Sequence, residues 1–121
     1  MERIEEFTQD GKDFFYFDLS GLKSNDEYIK VIEDSKSLIS KYSENSLYTI
    51  TNIEGVRYDT TTKKVVAEWM THNRPYVKYG VCIGVDGIKR IMLNAIFALS
   101  GRKNMELAST KEAAIELLLQ K

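Results

Sequence analysis

Apolar and polar residues alternate along this chain with two different periods, which predict strands and helices in turn. The period of two, typical of strands, predicts strands near residues 13–19, 47–53, 77–84 and 104–108, and an earlier strand-like segment covers 2–8. Asp10-Gly11 is a tight-turn signal between the first two segments, so we expect them to form a hairpin.

Helix-capping residues mark where the segments with a period of 3.6 begin. Ser24 is followed three residues later by Glu27, and this capping box predicts a helix over residues 25–42. Ser109 and Glu112 have the same spacing and predict a second capping box, which opens a C-terminal helix.

Two further helices are predicted in the middle of the chain. Asp59 is a suitable N-cap for a helix that ends near Asn73, because Pro75 disfavours helical geometry at the residue before it. Residues 88–99 form the next helix, which Ser100-Gly101 ends.

The predicted order of elements is β-β-α-β-α-β-α-β-α. Strands that alternate with helices imply right-handed crossovers and a largely parallel sheet. The sequence therefore predicts an α/β fold, with a mixed, mostly parallel sheet, an N-terminal antiparallel hairpin and about four amphipathic helices.

The helix over residues 88–99 has apolar residues on more than one side. The face expected to pack on the sheet consists of Ile88, Ile91, Met92, Ala95, Ile96 and Leu99. This orientation leaves Leu93 and Phe97 on the opposite side, flanked by polar residues. The pair is then either a contact surface for a second subunit, a partner or a bilayer, or is covered by the C-terminal helix.

Composition limits the classes to which the protein can belong. With 121 residues and 43% hydrophobic content, the chain suits a single domain over residues 1–121. The formal net charge is −1 and no basic block is present, so nucleic acid is not an expected partner. The N-terminus lacks the layout of a signal peptide, and no stretch approaches the ~20 apolar residues of a membrane span. We therefore expect a cytoplasmic protein.

The segment IGVDGIKR contains the strongest candidate for an anion-binding loop. Its glycine spacing fits neither the dinucleotide fingerprint nor the Walker loop. Gly84, Gly87, Lys89 and Arg90 could still bind an anion or ligand at the start of the next helix. The alternative is that the glycines permit a tight strand-to-helix bend while Asp86 caps the helix.

Residues typical of catalysis or metal binding are sparse. His72 is the only histidine and Cys82 the only cysteine, so neither a multi-histidine metal site nor an intrachain disulfide is available. We expect His72 to interact with the last carbonyls of its helix, and Cys82 to be a buried apolar residue. The sequence therefore predicts no catalytic residues, no metal and no cofactor.

One stretch, NIEGVRYDTTT, resembles the switch region of the STAS domains of anti-sigma-factor antagonists. The matching positions are Asn52, where the family usually has an acidic residue, Gly55-Val56, and Asp59-Thr60 near the Asp-Ser pair of the family. In that family the serine is phosphorylated at a helix N-terminus. The resemblance thus implies Thr60 or Thr61 as the phosphate acceptor.

Four segments together resemble the bacterial SpoIIAA-like proteins: FDLSGL, YTITNIEGVRYD, HNRPYVKYGVCIGVDGIKR and TKEAAIELL. The resemblance covers roughly residues 13 to 119. It implies a STAS-like fold, which is also compared with the CRAL-TRIO lipid-transfer fold, and it implies binding of a small apolar ligand or association with membranes.

The favoured function is a non-enzymatic regulatory or binding domain that acts through a protein partner or a small apolar ligand, with peripheral membrane contact or a homodimer as further options. Three alternatives stay open. A lipid carrier needs a cavity between helices and sheet, and a phospho-regulated antagonist needs Thr60 or Thr61. An unrecognised enzyme needs converging polar groups in a cleft.

Overall fold

The structure, a computed structural model, describes residues 3–22, 24–56, 60–101 and 103–121, without the side chains of residues 88, 89, 92, 99 and 100. The strands are β1 (Ile4–Gln9), β2 (Lys12–Asp18), β3 (Leu47–Asn52), β4 (Val77–Ile83) and β5 (Met105–Leu107). The helices are α1 (Asn25–Ile39), α2 (Thr60–Asn73), α3 (Gly87–Ser100) and α4 (Lys111–Leu119).

The strands form one sheet in the order β1-β2-β3-β4-β5. β1 pairs with β2 in antiparallel fashion, and every other neighbouring pair is parallel. Asp10 and Gly11 both have positive φ, 51° and 77°, as the tight turn of a two-residue hairpin requires. The predicted α/β class, the mixed sheet and the hairpin are confirmed.

Three helices cover one face of the sheet and the last helix lies on the other. Because strands point their side chains alternately to the two faces, Phe15 and Phe17 join a main core with α1, α2 and α3. Phe14 and Tyr48 face the opposite way and form a second core with α4. Successive right-handed crossovers that step in one direction along a sheet place their helices on the same face.

The N-cap predicted for α1 is confirmed, whereas the N-cap of α4 lies one residue later than predicted. Ser24 is the N-cap of α1, and the capping box with Glu27 is present. At α4 the cap is Thr110 and not Ser109, because the Thr110 side chain accepts a hydrogen bond from the Ala113 amide at 3.0 Å. The predicted cap at Ser109 is therefore wrong. The helix begins one residue later because Thr110, with its extended backbone, supplies the capping oxygen.

The predicted orientation of α3 is wrong for Leu93 and Ile91, although Ile96 is buried as expected. Leu93 is 3% exposed and belongs to the main core, and Phe97 is half-buried against that core. Ile91, expected to face the sheet, is 74% exposed. The physical reason is that α3 packs against α2 as well as the sheet, and this second contact selects the face that contains Leu93 and Ile96.

The C-terminal helix does not cover this face of α3, because α4 packs on the opposite side of the sheet. The side of α3 that is exposed includes Ile91 and Ala95. Although α3 has apolar residues on several sides, no helix in the described ranges has the length and hydropathy needed to cross a membrane.

Candidate functional site

The carboxyl ends of the parallel strands form one edge of the sheet, which is the usual ligand edge of open α/β folds. The structure brings most of the predicted site residues to this edge. Thr60 and Thr61 begin α2, and Gly84, Gly87 and Arg90 lie between β4 and the first turn of α3. The other two candidates, Leu93 and Phe97, lie further along α3 and point into or against the core.

A crevice opens at this edge between β4 and β5. The chain leaves β4 toward α3 on one face of the sheet and leaves β5 toward α4 on the other. Where the connections of neighbouring strands diverge in this way, the sheet edge is left uncovered. A cavity of about 210 Å³ occupies the position and is lined by Val85, Arg90, Leu107, Ala108 and Ser109.

Four of the lining residues were not candidates from the sequence. Val85 precedes α3, and Leu107, Ala108 and Ser109 end β5 and follow it. Locating them requires the knowledge that α4 crosses to the second face of the sheet, and periodicity alone does not reveal this. The sequence signal that could have indicated Ala108 and Ser109 is their position directly after the last predicted strand.

Gly84 permits a close approach between the turns that follow β3 and β4. Its φ is +78°, and a Cβ atom there would lie 2.7 Å from the Glu54 amide nitrogen and 2.8 Å from Asn52 Oδ1. The Asn52 side chain holds the turn after β3: Oδ1 accepts a hydrogen bond from the Glu54 amide at 3.0 Å, and Nδ2 donates to the Tyr16 hydroxyl at 3.2 Å. Gly84 is therefore required by the bend, since any side chain would collide with this turn.

Gly87 differs from Gly84 both in its backbone conformation and in the space around it. It begins α3 as an ordinary helical residue, and a Cβ atom there would meet no atom of the described chain within 4 Å. Arg90 is exposed, and its amide donates to the Asp86 carbonyl at 3.0 Å, which closes the first turn. The Lys89 side chain lies outside the described residues. Of the predicted anion-binding residues whose side chains the structure describes, Arg90 lines the crevice and supplies a charged group.

The first turn of α2 presents two threonine hydroxyls to solvent. Thr60 and Thr61 are exposed, whereas Thr62 is buried and donates a hydrogen bond from its hydroxyl to Asn25 Oδ1 at 3.1 Å. Thr62 ties α2 to the start of α1 through this bond. Asp59, the predicted cap of α2, lies outside the described residues.

The other residues singled out for chemistry lie apart from the crevice. His72 is in the last turn of α2, with Nδ1 2.9 Å from Asn73 Oδ1 and its ring 5.9 Å from that of Tyr76. Cys82 is buried in β4, as predicted. Within the described ranges, no three His, Cys, Asp or Glu side chains are grouped so as to hold a metal ion.

Tyr79, Glu106 and Lys121 form a charged network on the second face of the sheet, where α4 packs. The Tyr79 hydroxyl donates to Glu106 Oε2, and Lys121 Nζ lies 3.0 Å from the same carboxylate. The Lys121 ammonium also lies 4.5 Å from the centroid of the Tyr79 ring. The hydrogen bond from Tyr79, assisted by Lys121, lowers the pKa of Glu106, and the same bond raises the pKa of Tyr79.

Aromatic and aliphatic side chains fill the layer between the sheet and the helices α1 to α3. Phe17 and Trp69 meet edge to face there, with ring centroids 5.0 Å apart. A larger groove, about 580 Å³ in volume, lies at the surface between β1 and α1.

Comparison of the chain with models of protein families and with curated proteins finds no match. The resemblance to SpoIIAA-like and STAS domains therefore stays a prediction from the sequence. The fold and the crevice are the observations on which a functional proposal can be based.

Proposed function

We propose that this protein is a non-enzymatic regulatory or binding domain of the SpoIIAA-like, STAS type, which docks a protein partner at the carboxyl edge of its sheet. The observation that carries the proposal is the crevice between β4 and β5. Its walls are apolar at Val85, Leu107 and Ala108, and Arg90 supplies one guanidinium at the rim. Such a site suits an apolar side chain with an acidic group beside it.

The size of the crevice favours a partner protein over a lipid. Sites for small molecules typically enclose about 300–1,000 Å³, whereas the crevice measures about 210 Å³. A single side chain of a partner fits this volume, and an acyl chain does not. The tight packing of Phe17 and Trp69 between helices and sheet also speaks against the carrier alternative.

Site-directed photo-crosslinking in cells of the source organism tests this proposal. A benzophenone amino acid replaces Ser109 in the crevice. As a control, it replaces Ser43, which is exposed between α1 and β3, at the amino ends of the parallel strands. We expect one protein adduct at position 109 that disappears when Arg90→Glu is added, with no such adduct at position 43. Adducts that are lipids, or that are unaffected by Arg90→Glu, would contradict the proposal.

A second candidate function is supported by Thr60 and Thr61. Both are exposed in the first turn of α2, where the helix dipole stabilises added negative charge by about a kcal/mol. The resemblance to anti-sigma-factor antagonists puts Thr60 near the serine that carries the phosphate in that family. Phosphorylation there would add charge at the same sheet edge as the crevice and so regulate partner binding.

Kinase treatment followed by mass spectrometry tests the second candidate. The protein is incubated with the anti-sigma-type serine/threonine kinases of the source organism. We expect phosphate on Thr60 or Thr61 and none after both are changed to Ala, while Thr71, exposed near the end of α2, stays unmodified. Phosphate elsewhere, or none, would exclude this form of regulation.

A further inference from the structure

The outer edge of β1 carries backbone groups that no other strand in the described ranges uses. The Asp18 amide donates to the Arg3 carbonyl at 2.8 Å, which identifies these two residues as a hydrogen-bonded pair of the β1–β2 ladder. In an antiparallel ladder such pairs alternate with pairs whose backbone groups point away from the partner. The amides and carbonyls of Ile4, Glu6 and Thr8 therefore point away from β2.

These outward groups lie at the end of the sheet. β1 is the first strand in the sheet order, and among the described strands it pairs with β2 alone. Within the described part of the chain, no hydrogen bond reaches the outward amides and carbonyls of Ile4, Glu6 and Thr8. An edge strand of this kind is a template for another extended segment.

A groove runs beneath this edge, on the side that faces α1. Ile4 of β1 and Val31 and Leu38 of α1 supply its apolar floor. The remaining lining residues are polar or charged, namely Arg3, Glu6, Lys30, Asp34 and Ser37. The groove volume of about 580 Å³ leaves room for more than one side chain. In an added strand, the residues opposite Ile4 and Glu6 point their side chains to the same face and so into this groove.

We propose that β1 binds an extended segment of a partner protein as an added strand, with alternate side chains of that segment in the groove between β1 and α1. An apolar side chain belongs beside Ile4. A basic side chain belongs beside Glu6, whose carboxylate is held in place by a 2.9 Å hydrogen bond from the Tyr42 hydroxyl.

A second copy of this chain is a poor occupant of the same edge. Antiparallel self-pairing through the outward groups places Glu6 opposite Glu6 in one register and Glu5 opposite Glu5 in another. Like charges directly opposite each other destabilise a strand pair. The register that places Phe7 opposite Phe7 avoids these like-charge pairs. In that register, however, only Glu6 and Thr8 have their outward backbone groups paired. Glu5 and Glu6 therefore disfavour these two self-pairing registers, and Glu6 favours a basic residue beside it in the added segment.

This inference rests on the proposed role as a binding domain, but not on the crevice, which lies at the other end of the sheet between β4 and β5. A failure of crosslinking at Ser109 thus leaves the β1 edge open to its own test, and the reverse also holds.

Amide hydrogen exchange, followed by NMR, tests the β1 edge. The probe is the blocked heptapeptide STTKTVT, with two further versions that have Leu or Phe in place of Val. In the free protein we expect fast exchange at Ile4, Glu6 and Thr8 and slow exchange at Glu5 and Phe7. Peptide should slow the three fast amides at least tenfold and leave Glu5 and Phe7 unchanged.

Two matched controls isolate the backbone bonds. N-methylation of the peptide residues that face the groove should abolish binding, because it removes the amides that point at β1, whereas N-methylation of the intervening residues should not. Glu6→Pro removes an outward donor without breaking the β1–β2 ladder and should weaken binding more than Glu6→Ala.

Three outcomes would overturn the inference. These are no slowed exchange with any of the three peptides, equal binding of the two N-methylated peptides, and protection of the three amides that grows with protein concentration alone. The last result would assign the edge to a second copy.

Discussion

The indole of Trp69 donates a hydrogen bond to the Ser35 hydroxyl, with 2.7 Å between Nε1 and Oγ. This bond joins α2 to α1 inside the main core, where Trp69 is 2% exposed and Ser35 is 0% exposed. The Ser35 hydroxyl in turn donates to the Ile32 carbonyl at 2.8 Å. Both polar groups are thereby satisfied, which a buried polar group requires to avoid a large desolvation cost.

Replacing Ser35 with Ala leaves the Trp69 N–H buried without its acceptor. We expect the free energy of unfolding to fall by about 1–3 kcal/mol, measured by urea denaturation with the fluorescence of the single tryptophan. The matched control is Ser37→Ala at an exposed position of α1, which should change stability by less than about 0.5 kcal/mol. Equal effects of the two substitutions would show that the buried bond does not stabilise the fold.

Gly84 and Gly87 should respond in opposite ways to substitution by Ala. At Gly84 the new Cβ meets the turn after β3 and a φ of +78°, so the loss should exceed about 1–2 kcal/mol. At Gly87 the space is open, and Ala should be neutral or stabilise α3 by up to about 1 kcal/mol. Thermal melts of the two variants measure this contrast. Similar melting temperatures would contradict the close approach of the two turns.

The orientation of α3 can be checked with Leu93→Ala and Ile91→Ala. Leu93 is 3% exposed, so its truncation should cost about 2–5 kcal/mol. Ile91 is 74% exposed, and its truncation should change stability by less than about 0.5 kcal/mol. Chemical denaturation of both variants provides the measurement. A larger loss for Ile91→Ala would instead support the orientation expected from the sequence.

The carboxylate of Glu106 should titrate below the usual range of a glutamate. The Tyr79 hydrogen bond is the largest cause of the lowered pKa, ahead of Lys121. Since the folded-state pKa lies below the unfolded value, the stabilising contribution of Glu106 is present above the ordinary glutamate pKa. It is lost as the pH falls through the lowered value.

Carboxyl-carbon NMR of Glu106 provides the measurement, and Tyr79→Phe should raise the pKa of Glu106 toward the ordinary range. Tyr42→Phe serves as the control, because Tyr42 donates to the separate carboxylate of Glu6. An unchanged pKa of Glu106 in the Tyr79 variant would contradict the role of this hydrogen bond.

The order and the approximate bounds of the elements followed from the sequence because the signals are local. The capping box of Ser24 and Glu27 is satisfied within one turn, and Pro75 disfavours helical geometry at the residue before it through a steric contact between neighbouring residues. The Asp10-Gly11 turn likewise depends on its own backbone preferences. The periods of two and 3.6 residues likewise depend only on the residues within one element, so they can be recognised without information about neighbouring elements.

Only the tertiary structure decided which surfaces are buried and which are open. α3 has apolar residues on several sides, so its buried face was selected by contact with α2 and not by its own pattern. The crevice beside Arg90 exists because α4 crosses to the second face of the sheet, and the open edge of β1 exists because no later strand pairs with it in the described chain. Burial, crevices and free edges arise where segments distant in sequence meet, and local periodicity carries no information about these meetings.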